Sequence, residues 1–109
     1  MGSRTENEFQ RRLIRDIQAM LPGCYILKND SGYIQGIPDL TILYEDRWAM
    51  LECKRSLRSP YQPNQEEYLR ELDDMSFASM ICPENREEIL DGLQRSLKTR
   101  RNARVPFSE

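Results

Sequence analysis

Apolar residues recur along the chain at two spacings, and these predict helices and strands in a definite order. Phe9, Leu13 and Ile17 recur at helical intervals, and Pro22-Gly23 ends that first helix. Four short apolar runs predict strands, and two later apolar stripes predict helices. The predicted elements are a helix over 5–20, strands over 24–28, 40–44 and 47–53, a helix over 65–75, a strand over 76–82 and a helix that begins at Pro83 or Glu84.

The length and the element order predict a single small domain. The chain has 109 residues, which is enough for one domain core. A helix, three strands, a helix, a strand and a helix are typical of an α/β or α+β domain whose central sheet is covered by helices. We expect this domain to span 4–98 and to be followed by a basic, flexible tail over 99–109.

Composition narrows the possible chemistry. The chain contains no histidine, which excludes Ser-His-Asp and Cys-His catalysis and histidine-ligated zinc. No apolar run approaches the roughly 20 residues of a membrane helix, and the N-terminal segment has no apolar signal region. We therefore expect a cytoplasmic protein, neither secreted nor membrane-bound, whose chemistry uses carboxylates, lysine or cysteine.

The formal net charge of −2 conceals an uneven distribution of charges. Residues 66–91 carry nine acids and two bases, whereas basic residues cluster elsewhere in the chain. The clusters comprise Arg4, Arg11, Arg12 and Arg15, then Lys54, Arg55 and Arg58, then Lys98, Arg100, Arg101 and Arg104. This asymmetry permits a surface that faces a polyanion, although ordinary solvated helix faces explain such clusters equally well.

Asp39 and Glu52 are predicted to face each other across a hairpin. If the turn at 45–46 contains two residues, the strands pair so that Asp39 lies directly opposite Glu52. Lys54 lies two residues beyond Glu52 and therefore on the same face of the sheet. A turn of odd length would break this arrangement, so the placement is a prediction about the turn.

This like-charged pair points to a divalent cation. Two carboxylates opposite each other in apolar strands are destabilising, but a hard cation such as Mg²⁺ or Mn²⁺ makes the pair favourable. A metal held by Asp39 and Glu52 activates water for attack on a phosphate, while Lys54 orients that water or offsets developing charge. The alternative is that all three are exposed charges on an edge strand.

The same residues resemble a known nuclease signature. The segment Gly-Ile-Pro-Asp-Leu over 36–40, followed by Leu-Glu-Cys-Lys over 51–54, resembles the PD-(D/E)XK motif and, more narrowly, that of the VRR-NUC domain family. Gln65 resembles the glutamine that follows in that family, and the loop over 28–32 resembles its polar loop before the motif. The resemblance implies an α/β fold with a small restriction-endonuclease-like core in the order αβββαβα, a mixed central sheet flanked by helices. The short chain is similar to stand-alone members from viruses and phages.

The resemblance also implies a fuller site. Members of the family carry a glutamate on the first helix that completes the metal site, and Glu6 matches it, with Glu8 as the rival. The backbone carbonyl of Cys53 is expected to ligate the metal, while its thiol points to the opposite face. The expected catalytic residues are Asp39, Glu52, Lys54 and Gln65, and the expected metal ligands are Glu6, Asp39, Glu52 and the Cys53 carbonyl.

The function implied by the resemblance is a divalent-metal-dependent DNA endonuclease that hydrolyses phosphodiester bonds with Mg²⁺ or Mn²⁺. Small virus-type members resolve four-way (Holliday) junctions as homodimers, and two symmetric incisions by a chain with one site require a twofold dimer. Two alternatives stay open: a non-catalytic nucleic-acid-binding module, and a repair or restriction-type nuclease that acts on duplex or flap DNA. RNA is not excluded as a substrate. The residues expected to contact DNA phosphates are Arg11, Arg12, Arg15, Lys28, Arg55 and Arg58.

Overall fold

The helices and strands follow one another in the predicted order. The computed structural model describes residues 4–98, with side chains from residue 7 onward, so the expected tail over 99–109 lies outside the described residues. The elements are α1 (Arg4–Met20), β1 (Tyr25–Lys28), β2 (Leu40–Tyr44), β3 (Arg47–Cys53), α2 (Gln65–Met75), β4 (Phe77–Ile81) and α3 (Arg86–Lys98). None of the helices within 4–98 has the length and apolar character needed to cross a membrane.

The strands form one mixed sheet in the order β1-β2-β3-β4. β1 pairs antiparallel with β2 and β2 antiparallel with β3, whereas β3 pairs parallel with β4. Tyr44 pairs with Arg47 and Leu40 with Leu51, so the turn contains two residues and the predicted register is confirmed. Glu45 adopts a left-handed φ of 58° in that turn, as such short hairpin turns require. β3 is an interior strand, because β2 and β4 flank it.

Helices cover the two faces of the sheet unequally. α1 and α3 pack on one face, where Leu13 and Ile17 are fully buried against the strands. α2 packs on the other face, over Met50 of β3. Successive side chains of a strand alternate between faces, so Glu52 shares the α2 face with Met50, while Cys53 lies in the core beneath α1 and α3. The expected α/β architecture with a mixed central sheet is confirmed.

The start of α3 differs from the prediction. The helix begins at Arg86 and not at Pro83 or Glu84. Asn85 donates its backbone N–H to Cys82 O at 3.2 Å and accepts the Cys82 N–H on its side-chain Oδ1 at 2.8 Å. These two hydrogen bonds close a tight turn after β4, so helical geometry begins only once the turn is complete.

Candidate active site

Asp39 and Glu52 meet where β2 begins and β3 ends. Asp39 lies one residue before β2, and continuing the β2–β3 register sets it opposite Glu52. The backbone N–H of Asp39 donates to Glu52 Oε1 at 3.2 Å, and the backbone N–H of Cys53 donates to Asp39 Oδ2 at 2.9 Å. Each carboxylate is therefore held by a backbone donor on the neighbouring strand.

Glu52 is a buried acid on an interior strand. Its side chain belongs to a residue only 3% exposed, so the interpretation as an exposed edge-strand charge is wrong. Burial, followed by the negative charge of Asp39, raises the pKa of Glu52 to about 7 against the opposing effects of Lys54 and of the Asp39 N–H. This carboxylate therefore holds a proton more tightly than an exposed glutamate does.

Lys54 is buried beside Glu52. The residue is 7% exposed, and its Nζ lies 3.6 Å from Glu52 Oε2. The ammonium group also donates to Gln65 Oε1 at 2.8 Å and to Pro60 O at 3.1 Å. The ring of Tyr61 lies over it with its centre 5.5 Å from Nζ, within cation–π range. A compact positive charge is thus fixed next to the carboxylates.

Gln65 is hydrogen-bonded to both Glu52 and Lys54. It is the first residue of α2, and its Oε1 accepts from both Lys54 Nζ at 2.8 Å and the Gln62 N–H at 2.7 Å. Its Nε2 donates to Glu52 Oε2 at 2.8 Å. Because two donors converge on Oε1, the orientation of the amide is determined by its surroundings. The residue that sequence resemblance singled out therefore contacts both predicted partners.

Gly36 sets the position of the loop that precedes Gln65. Its φ is +95°, and a Cβ at this position would lie 2.8 Å from Asn64 Cβ and 2.9 Å from Pro63 O. A side chain at Gly36 is therefore excluded both by the left-handed backbone and by the close approach. The glycine of the sequence motif thus allows the loop before β2 to pack against the start of α2.

Other predicted residues lie around this cluster. The backbone of Glu6 lies in the first turn of α1, but its side chain lies outside the described residues, and Glu8 is exposed. α1 packs on the sheet and is joined to β1 by a short turn, so it runs opposite to β1 and begins at the end of the sheet that carries Asp39. The Cys53 side chain lies on the opposite face from Glu52, as predicted.

The predicted DNA-contacting bases are all exposed but are not all brought together. Arg11, Arg12 and Arg15 lie on α1, across the sheet from the α2 face that carries Glu52 and Lys54. Lys28 ends β1, and Arg55 and Arg58 follow directly after Lys54. Lys28, Arg55 and Arg58 therefore lie nearer in sequence to Asp39 and Lys54 than the three arginines of α1 do.

The sequence pattern assigns no role to Asn29 or Tyr61. Asn29 follows β1 directly, and its side chain donates to Pro38 O, next to Asp39. The signal that could have found it is the β1–β2 register, because this register continues to Asn29 beside Asp39. No local pattern marks Tyr61, whose position over Lys54 depends on how the loop before α2 folds back.

The donor set suits a hard divalent cation. Among the side chains described, no group of three or more His, Cys, Asp or Glu residues could hold a metal ion, so the two carboxylates of Asp39 and Glu52 are the available acidic ligands. Mg²⁺ is commonly bound by one or two carboxylates while it keeps several waters or takes substrate phosphate oxygens. The negative charge of Asp39 contributes to the raised pKa of Glu52, and a cation between the two carboxylates would offset this repulsion. The residues present therefore fit Mg²⁺ or Mn²⁺.

Comparison with solved structures identifies the same architecture elsewhere. A structure described as a "VRR_NUC domain protein" matches with a TM-score of 0.64 at 19% sequence identity, over 90% of this chain and 92% of that one. No family sequence model matches the chain, and no curated protein sequence matches it. The likeness in structure confirms the restriction-endonuclease-like fold that the sequence motif implied.

Proposed function

We propose that this protein is a VRR-NUC-type nuclease that hydrolyses phosphodiester bonds in DNA with the help of Mg²⁺ or Mn²⁺. The observation that carries the proposal is the buried cluster of Glu52, Lys54 and Gln65 opposite Asp39. Burying two charged side chains costs stability that a well-packed apolar pair would not cost. Costly charged groups of this kind cluster at functional sites, so we assign Glu52 and Lys54 a role in chemistry and not in stability.

Each residue of the cluster has a separate role in the proposed hydrolysis. Asp39 and Glu52 hold the cation, with the Cys53 carbonyl and Glu6 as the further ligands that the family resemblance implies. A divalent cation held there would polarise a water molecule for attack and offset negative charge that develops on the phosphate. Lys54 presents its ammonium group to the attacking water and to the phosphate oxygens. Gln65 keeps Lys54 and Glu52 in a fixed relation, and both are desolvated, which strengthens their interactions with the reacting groups.

Substrate contacts are assigned to the exposed bases. Arg55 and Arg58 follow the catalytic strand, and Lys28 ends the strand beside Asp39. We assign Arg55 and Arg58 to phosphate contacts nearest the scissile bond, and Lys28, Arg11, Arg12 and Arg15 to more distant contacts. The resemblance of the motif to the VRR-NUC family further leads us to propose four-way junctions as substrate and a homodimer as the active form, since two symmetric cuts require two sites.

A cleavage assay tests the chemistry. Purified protein is incubated with labelled four-way junction, flap, duplex and single-stranded DNA, each with Mg²⁺, with Mn²⁺ or with EDTA. Glu52→Gln and Lys54→Ala are compared with Glu71→Gln, which changes an exposed acid on α2. We expect metal-dependent cleavage by the wild type and by Glu71→Gln, and a loss of at least about a hundredfold in the two site variants.

Three outcomes would contradict the proposal at different levels. Cleavage that survives in both site variants would remove Glu52 and Lys54 from the catalytic site. Binding without cleavage of any substrate by the wild type would favour a nucleic-acid-binding module. A monomer by light scattering that still cuts junctions symmetrically would contradict the dimer, and preferential cutting of flaps or duplex would contradict junction selectivity.

A further inference from the structure

Asn29 forms hydrogen bonds with Asp39 and with a residue on either side of it in the chain. Its backbone N–H donates to Asp39 O at 2.8 Å. Its side-chain Nδ2 donates to Pro38 O at 2.8 Å and to Thr41 Oγ1 at 2.9 Å, and its Oδ1 accepts from the Thr41 hydroxyl at 3.1 Å. The Asn29 side chain, directly after the edge strand, therefore fixes the residue before Asp39 and the residue two positions after it.

The hydrogen bonds of Asp39 continue this chain of contacts to β3. The Asp39 N–H donates to Glu52 Oε1, and the Asp39 carboxylate accepts the Cys53 N–H. The backbone conformation at Asp39 thus determines the positions of the Asp39 and Glu52 carboxylates. We infer that Asn29 is a positioning residue for Asp39, which holds the start of β2 in the conformation that sets the two carboxylates against each other.

Asparagine suits this place because of its mixed donor and acceptor chemistry. The carbonyl of Pro38 needs a donor, which the amide NH₂ provides, and the Thr41 hydroxyl is satisfied by the same amide group. Aspartate keeps the size of the side chain but cannot donate to Pro38 O, and it adds a negative charge near Asp39 and Glu52. Alanine leaves the backbone O of Pro38, a buried residue, without this partner.

The inference has a consequence for metal binding, which rests on the proposed function. If Asn29 sets the position of Asp39, then loss of its side chain weakens binding of the cation without touching a ligand. Loss of a side chain that supports a metal ligand commonly weakens metal affinity roughly 10–100-fold. The residue takes no part in proton transfer, so the pH dependence of cleavage is expected to keep its shape.

Two measurements on the full chain test the inference separately. The first is amide hydrogen exchange at Cys53, whose N–H donates to the Asp39 carboxylate, measured without metal. The second is the dissociation constant for Mn²⁺, followed by water proton relaxation. Asn29→Ala and Asn29→Asp are compared with Asn85→Ala, because Asn85 also accepts a backbone N–H (of Cys82) and donates to a backbone carbonyl (of Met80).

We expect exchange at Cys53 to accelerate about tenfold in both Asn29 variants and to change in Asn85→Ala only as far as global stability changes. Mn²⁺ binding should weaken in the same two variants alone. Exchange at Cys53 that matches the Asn85→Ala control would overturn the inference, and so would unaltered Mn²⁺ affinity in Asn29→Ala. If the exchange effect is found but the wild type binds no Mn²⁺, the positioning role stands and the proposed metal-dependent function fails.

Discussion

Gln65 donates from Nε2 to Glu52 Oε2 at 2.8 Å while the same side chain accepts from Lys54 Nζ at 2.8 Å. The amide is neutral, yet it contacts a buried acid and a buried base at once. Because Glu52 and Lys54 themselves lie 3.6 Å apart, their direct ion pair is longer than the two hydrogen bonds through Gln65. The glutamine therefore carries much of the polar compensation of this buried pair.

We predict that Gln65→Glu destabilises the protein, and more so at pH 8 than at pH 5. The variant keeps an acceptor for Lys54 but replaces the donor to Glu52 with a second carboxylate. Loss of a buried hydrogen bond and a new like-charge contact should lower the free energy of unfolding by about 1–3 kcal/mol at pH 8. At pH 5 Glu52 is largely protonated, since its pKa is about 7, and can donate to the new side chain.

Urea unfolding at the two pH values measures this effect. Gln62→Glu is the matched control, because the Gln62 side chain is exposed and Gln62 contacts Gln65 through its backbone, whose N–H donates to Gln65 Oε1 and whose O accepts the Gln65 N–H. The control should be near wild-type stability at both pH values. Equal destabilisation by the two variants would show that the amide of Gln65 has no special part in compensating Glu52.

A second prediction concerns the pH dependence of stability without divalent cations. Burial raises the pKa of Glu52 from its ordinary value of 4.5 to about 7. The folded protein then binds this proton more tightly than the unfolded chain, so the contribution to stability is full below pH 4.5. It is lost as the pH rises through 7, by an amount on the order of 3 kcal/mol.

Unfolding in EDTA at pH 5 and pH 8 isolates this contribution when wild type is compared with Glu52→Gln. The wild type should lose more stability between the two pH values than the variant does, whereas Glu71→Gln should follow the wild type. Parallel pH profiles for wild type and Glu52→Gln would contradict the raised pKa. A cation competes with the same proton, so Mg²⁺ affinity should increase over this interval.

The local parts of the site were predictable from sequence because local rules determine them. A two-residue turn and strict alternation fix the β2–β3 register, so the sequence alone predicts that Asp39 lies opposite Glu52. The start of α2 at Gln65 follows a segment rich in proline and serine, which cannot continue a helix. These features depend on neighbours in the chain.

The parts that were not predictable depend on contacts between distant segments. β3 becomes an interior strand only because β4 returns after α2 and pairs parallel to it, and this burial is what turns Glu52 from a surface charge into an acid of raised pKa. The approach of Gly36 to Asn64 likewise joins two loops that no pattern connects. α3 begins later than the sequence pattern predicts because the hydrogen bonds of Asn85 to Cys82 compete with a helical start.

A third prediction uses two glycines of similar backbone conformation. Gly36 has a φ of +95° and Gly23 a φ of +91°, but only Gly36 lacks room for a Cβ, since nothing lies within 4 Å of one at Gly23. Both alanine variants carry the cost of a left-handed residue, about 1–2 kcal/mol. Gly36→Ala should lose a further 1–3 kcal/mol or so from steric overlap.

The activity of the two variants separates stability from site geometry. Displacing Asn64 also displaces Gln65, so Gly36→Ala should reduce cleavage below the wild-type rate at a temperature where it remains folded. Gly23→Ala lies at the far end of α1 and should cleave at the wild-type rate. Similar stability and activity of both variants would show that the loops before β2 and α2 do not depend on each other.

The last prediction concerns how DNA is held beside the site. Arg55 and Arg58 are exposed directly after Lys54, and each contact with a phosphate releases counterions, so the logarithm of affinity should fall linearly with the logarithm of salt concentration. Neutralising both as Arg55→Gln with Arg58→Gln should make that slope shallower by roughly 1–2 units. Binding is measured by fluorescence anisotropy without divalent cations, in the Glu52→Gln background to prevent cleavage. Arg70→Gln, an exposed base within the acidic segment on α2, should leave the slope unchanged, and an equal change in both proteins would mean that DNA does not approach along the Arg55–Arg58 loop.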